Sequence, residues 1–136
     1  MKKLKITAYT DGASRGNPGK AGIGVLLLDE NESVLKELSE FIGDATNNVA
    51  EYTAVIRALE VGLELGGIEF KLYTDSELLT KQIKGEYKVK NEGLIPLYQQ
   101  VLNLKKEYDK FDVEHIRREY NKEADKLANQ GIDQAK

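Results

Sequence analysis

The sequence predicts an α/β protein built on a mixed sheet, and three observations predict it. Two alternating apolar runs, Leu4-Lys5-Ile6-Thr7-Ala8-Tyr9-Thr10 and Ile68-Glu69-Phe70-Lys71-Leu72-Tyr73-Thr74, read as strands. Each ends on an aspartate followed by a small residue, Asp11-Gly12 and Asp75-Ser76. The first run leads into two more strand-like segments at hairpin distance, and a long helical pattern separates that meander from the second run. A strand, a helix and a next strand at this spacing favour a parallel crossover. Parallel neighbours of this kind would carry Asp11 and Asp75 to one sheet edge, side by side. Two carboxylates in contact cannot both stay ionised unless a cation lies between them.

Taken in order, Gly12–Lys20 is dense in turn residues and is expected to be a loop. Ala21–Leu28 is an apolar strand, Asp29–Glu32 a turn, and Ser33–Ile42 a more polar strand suited to a sheet edge. A helix is expected over Val49–Leu65, with Val49, Tyr52, Ile56, Leu59 and Leu63 in one stripe, and with Ala50, Ala54, Ala58 and Gly62 allowing close approach to a sheet. Gly66-Gly67 stop it. After Asp75, Ser76 reads as the cap of a short helix ending near Lys84. Gly85–Gly93 is a polar connector, basic at Lys88 and Lys90 and flanked by Lys84. Leu94–Tyr108 reads as a helix and Phe111–Ile116 as a last strand. Asn121 reads as the cap of a final helix that Gly131 closes.

The 136 residues fit a single domain, 1–136, and 40% hydrophobic with 32% charged residues is the balance of a globular chain. There is no Cys, which excludes a disulfide frame and a thiolate metal site. No apolar run approaches bilayer length, and Met1-Lys2-Lys3 leads straight into a strand pattern, so a cytoplasmic location and no membrane partner are expected. A monomer is the expected state. The net charge of −3 means that a polyanionic partner must be met by a local patch or through a metal.

Glu51 is expected in the first turn of the long helix and off its apolar stripe. Asp125 falls in the first turn of the last helix, where free amides and the helix dipole favour its charge. A parallel crossover brings Glu51 to the edge that Asp11 and Asp75 share, and Asp125 can join them from a fourth element. Taken singly, each acid is an ordinary turn former or dipole partner. Together they form the hard oxygen donor set that Mg2+ or Mn2+ prefers. Two such ions about 4 Å apart can clamp the attacking and leaving oxygens of a phosphoryl displacement.

These residues resemble a known family. Tyr9-Thr-Asp-Gly-Ala-Ser-Arg-Gly-Asn-Pro-Gly19, Thr46-Asn-Asn-Val-Ala-Glu51, Tyr73-Thr-Asp-Ser76 and Asn121-Lys-Glu-Ala-Asp-Lys-Leu-Ala128 are similar, in order, to the signatures of type 1 ribonuclease H. The resemblance implies a ribonuclease H-like three-layer fold: a five-stranded mixed sheet, order 3-2-1-4-5, with helices on both faces. It implies two Mg2+ ions, for which Mn2+ can substitute, held by Asp11, Glu51, Asp75 and Asp125. It also implies endonucleolytic hydrolysis of the RNA strand of an RNA/DNA hybrid, leaving 5′-phosphate and 3′-hydroxyl ends. By the same match, Asn17, Asn47 and Asn48 would meet the hybrid's shallow groove, and Thr46 a phosphate of the DNA strand. Short amides both donate and accept, which suits a 2′-hydroxyl.

The chain departs from the family's pattern ahead of the last acid, where many members carry a catalytic His on a mobile loop. Here the stretch is Val113-Glu-His-Ile-Arg-Arg-Glu-Tyr-Asn121. His115 has a spacing that could stand in for that His, but the alternation Phe111, Val113, His115 continues the strand. Aligning strand with strand puts Arg118 in the shortened loop, so Arg118 is the preferred auxiliary candidate, with a guanidinium fork matched to phosphate oxygens. The family's long basic protrusion is reduced to Lys84–Gly93, where Lys84, Tyr87, Lys88 and Lys90 could grip the DNA strand or simply form a solvated connector. A non-cutting binding module and another enzyme of the same fold, such as a resolvase or transposase-like nuclease, are the competing readings. The complete acid set argues against the first and the Asn-rich loops against the second.

Overall fold

A computed structural model of the chain describes residues 4–135. Met1-Lys2-Lys3 lie outside the described residues. Five strands, β1 (Leu4–Gly16), β2 (Gly19–Leu28), β3 (Val34–Ala45), β4 (Gly67–Thr74) and β5 (Lys110–His115), form one sheet in the order β3-β2-β1-β4-β5. β1, β2 and β3 are antiparallel, whereas β4 runs parallel to both β1 and β5. The polar β3 is an edge strand, as its composition predicts. Four helices, α1 (Asn47–Glu64), α2 (Glu77–Ile83), α3 (Ile95–Lys105) and α4 (Lys122–Asp133), complete the strand order and layering that the resemblance implies. No helix of the described residues is long and apolar enough to cross a membrane.

The two faces of the sheet are filled differently. Ile6, Ala8, Ile23, Val25, Leu27, Phe70 and Leu72 point to one face and bury Tyr52, Val55 and Leu59 of α1, with α3 packed behind. Tyr108 and Tyr52 are anchored within this layer through their hydroxyls, which donate to the Leu59 carbonyl and to Gln82 Oε1, each at 2.7 Å. On the other face, α4 lies across β1, β2 and β3 and buries Ala124, Leu127, Ala128 and Ile132. It comes so close that a Cβ on Gly24 of β2 would stand 2.1 Å from the Ala124 carbonyl oxygen. That approach sets the height of the α4 N-terminus above the sheet, and therefore of Asp125.

Beyond shifts of a few residues at the ends of α1, α3 and β5, three boundaries differ from those expected. Gly12–Lys20 is not a loop: β1 and β2 stay paired as far as Gly16↔Gly19, and only Asn17-Pro18 turn the chain. The small residues read as turn formers serve close packing instead, and only Gly16, at φ +113°, needs the left-handed region. β3 likewise runs past Gly43, which absorbs a register shift at φ +85°, to Ala45. At the end of the chain, α4 passes through Gly131 to Asp133; Gly131 meets the backbone of Glu40 rather than closing the helix.

Gly24→Ala should cost about 1–3 kcal/mol, because its new methyl meets backbone rather than a side chain that can turn away. Urea unfolding is expected to show the midpoint falling with an unchanged slope. An unchanged midpoint would mean that α4 is not held this close.

Candidate active site

The parallel register Tyr9↔Tyr73 and Thr10↔Thr74 carries the next residues, Asp11 and Asp75, to the C-terminal edge of the sheet together. The two tyrosines stack beneath them with ring centroids 5.1 Å apart. Glu51 comes down from α1. Thr46 caps that helix by accepting from the Val49 amide, so α1 begins at Asn47 and Glu51 occupies its second turn rather than its first. The carboxylate is buried and accepts a 2.6 Å hydrogen bond from the Gly12 amide. Only glycine fits at position 12, since a Cβ there would stand 2.3 Å from the Ala50 carbonyl carbon. Ligand oxygens of Asp11, Glu51 and Asp75 all lie within 4.8 Å of one another. Asp125, in the first turn of α4, lines the same cleft of about 510 Å3.

This crowding shifts protons. Asp11 is 6% exposed, and burial, then the Glu51 charge, then Asp75 push its carboxyl far above the usual range. A hydrogen bond with Asp125 adds to the rise. Burial also pushes Glu51 up, partly offset by hydrogen bonds from Asp11 and the Gly12 amide and by the charge of Arg118. Without a cation the crowding therefore favours a proton on Asp11. Three converging carboxylates, two of them buried, fit a divalent metal and suit no neutral ligand. A larger hollow of about 630 Å3, at the opposite end of the sheet beside Phe70 and Phe111, has no such converging set.

Asn47 and Asn48 line the cleft, whereas Asn17 and Thr46 are not among its lining residues. Asn17 Oδ1 accepts from the Asn47 amide at 3.1 Å, and Asn47 Oδ1 accepts from the Ser14 amide at 2.9 Å. Each bond uses the side-chain oxygen and spares the NH2 donor, while knitting the β1–β2 turn to the start of α1. His115 ends β5 opposite Thr74, exposed and outside the cleft lining. Arg118 does line the cleft, from a 3-10 turn over Arg118–Tyr120, with Nη2 4.0 Å from Asp125 Oδ1. Its side chain is 84% exposed and free to reorient. Lys84, Tyr87, Lys88 and Lys90 are exposed on the connector between α2 and α3.

Several contributors were not legible from the sequence. Asn129 donates to the Asp125 carbonyl at 3.0 Å, and its position four residues on along α4 was the available signal. Asn121, read as the α4 cap, makes no capping bond. Its Nδ2 donates instead to the Thr10 carbonyl at 2.9 Å and to Asp75 Oδ2 at 3.1 Å. Its buried Oδ1 finds no donor among the described residues, which costs about 1–3 kcal/mol.

The comparisons with known proteins agree with this fold. A family model described as "Reverse transcriptase-like" matches residues 9–131. A ribonuclease H of Acetivibrio thermocellus is 36% identical, over 97% of this chain and 96% of its own length. This chain belongs to the ribonuclease H family. Another member, the ribonuclease HI of Halobacterium salinarum, has a crystal structure that superposes with a TM-score of 0.93 at 38% identity, covering 96% of this chain and 99% of that one. LC11-RNase H1, solved in complex with an RNA/DNA hybrid, superposes with a TM-score of 0.90 at 46% identity, covering 96% and 99%. A bifunctional protein of Mycobacterium tuberculosis is 41% identical over 97% of this chain, which spans only 36% of that longer protein.

In the metal-free protein, Asp11→Asn is expected to raise thermal stability. A carboxyl raised in the folded state stabilises the protein below its unfolded pKa, and that contribution is lost as pH rises towards the folded value. Wild type should therefore fall behind the variant by on the order of 1 kcal/mol per pH unit at most, from about pH 4 upwards. Melting curves in EDTA across pH 4–9 check this. Parallel curves for the two proteins would contradict it.

Proposed function

We propose that residues 1–136 form one catalytic domain that hydrolyses the RNA strand of RNA/DNA hybrids, leaving 5′-phosphate and 3′-hydroxyl ends. The observation that carries the reading is the trio Asp11, Glu51 and Asp75, with ligand oxygens within 4.8 Å, in a chain of the ribonuclease H family. The hybrid seen with the 46% identical LC11-RNase H1 supports the choice of substrate. Asp11, Glu51, Asp75 and Asp125 would hold two Mg2+ ions, and Mn2+ can substitute because it takes the same oxygen donors. When bound, such a pair supplies the positive charge that stabilises the attacking and leaving oxygens.

The chain's own residues do the rest. The Gly12 amide fixes Glu51 so that its second oxygen remains a ligand. Asn17, Asn47 and Asn48 offer NH2 donors and carbonyl acceptors to 2′-hydroxyls, the groups that separate RNA from DNA. Thr46 and the first amides of α1 form a phosphate seat for the DNA strand. Arg118 reaches over the cleft beside Asp125 and meets phosphate charge with its planar fork. Lys84, Lys88 and Lys90 add local positive charge in a chain whose net charge is −3.

Cleavage of a labelled hybrid should require Mg2+ or Mn2+ and stop in EDTA, with DNA duplex left intact. Asp75→Asn should lower it more than about 100-fold, beyond the loss typical of an outer-shell contact. Binding without cleavage, or equal cleavage of DNA duplex, would overturn the proposal. Arg118→Ala is expected to lower turnover about 10–100-fold while His115→Ala stays near wild type; the reverse would move the auxiliary role to the strand. Removing Lys84, Lys88 and Lys90 together should flatten the salt dependence of hybrid affinity by up to about 0.9 in log–log slope for each phosphate they neutralise. An unchanged slope would make that connector a bystander.

A further inference from the structure

We propose that Asn121 is a positioning residue for the metal site, acting through Asp75; this rests on the function proposed above. Asn121 stands where three of the four acid-bearing segments meet. Its Nδ2 donates to the carbonyl of Thr10, the residue before Asp11, and to Asp75 Oδ2. Its own carbonyl accepts from the Asp125 amide at 3.1 Å. One residue thus ties the end of β1, the acid after β4 and the first turn of α4.

The chemistry of the amide fixes its orientation. Both partners of Nδ2 are acceptors, so the flipped rotamer would aim an oxygen at a carbonyl and a carboxylate. A residue serving only the helix would behave differently. Asn121 precedes Lys122, the position from which an Asn, Asp or Ser side chain ordinarily accepts from the helix's first free amides, and here it makes no such bond. The side chain is 1% exposed, and its Oδ1 is buried without a donor among the described residues. Neither helix capping nor burial accounts for the side chain's placement. The group served is Asp75, one of whose two oxygens is engaged by Asn121, which leaves the other available to a metal. Outer-shell bonds of this kind orient metal-binding carboxylates.

The test uses Asn121→Ser, which is too short to reach Asp75 but keeps a small polar residue of the kind favoured at a helix start, together with Asn121→Asp, which keeps the size and loses the donor. Mn2+ binding to the metal-free protein is read by calorimetry, and kcat and KM on hybrid are read with Mg2+. Asn121→Ser should weaken Mn2+ binding about tenfold or more, lower kcat by a similar factor and leave KM for hybrid within about threefold, with the melting temperature close to wild type. Asn121→Asp should lower kcat at least about tenfold. In an Asp75→Asn background, Asn121→Ser should add nothing further to the loss of Mn2+ affinity. Wild-type Mn2+ affinity and kcat in the Ser variant, or an equal additional loss in the Asp75→Asn background, would overturn the proposal for Asn121 alone. A wild-type protein that binds no Mn2+ would instead overturn the proposed function.

Discussion

The constraint on which this molecule depends is the crowding of carboxylates at the C-terminal edge of two parallel strands. Asp11 and Asp75 are placed there by register, and Glu51 is lowered between them by a helix that only Gly12 allows so close. Buried charge of one sign is unfavourable by itself, and the structure surrounds it with little that neutralises it. The Gly12 amide relieves Glu51, and Arg118 contributes from solvent. The remainder is left to protons or to metal. A site of this kind stays unfavourable until its ligand arrives, and the rest of the fold must be stable enough to hold it together.

That support is divided between the two faces of the sheet. The larger core under α1 holds Glu51 at a fixed depth, with Tyr52 next to it in sequence wholly buried and hydrogen-bonded. The smaller core under α4 rests on bare backbone at Gly24, which brings Asp125 down to the same edge. The β1–β2 turn is tied to the start of α1 by Asn17 and Asn47, so the loop that borders the cleft moves with the helix that carries Glu51. Packing, turn chemistry and site geometry are one system here, and a change in any of them is felt at the acids.

Much of this could be read from residues alone, because strands speak clearly in sequence. Alternation ending twice in Tyr-Thr-Asp located Asp11 and Asp75, and the Ala and Gly spacing of α1 foretold its close approach to the sheet. Alternation through Phe111 and Val113 kept His115 on a strand and left Arg118 to the loop. The failures have a common physical source, which is that small and polar residues serve two purposes. Gly12, Ala13 and Ser14 looked like turn formers, yet they are strand residues, and Gly12 is kept bare by the helix above it. Asn121 looked like a cap, and its side chain faces the opposite way, towards Asp75. A hydrogen bond between residues 46 positions apart leaves no periodic trace in a single sequence.

The central claim is that these acids are held close by protons when no metal is present and exchange those protons for cations. The direct measurement is calorimetry of Mn2+ binding at pH 7 in buffers of differing ionisation enthalpy, which counts protons released per ion bound. The account predicts release of about one proton per chain, lost when Asp11→Asn removes the group that carries it. Tight binding with no proton released would show that the carboxylates were already ionised together, and would contradict it.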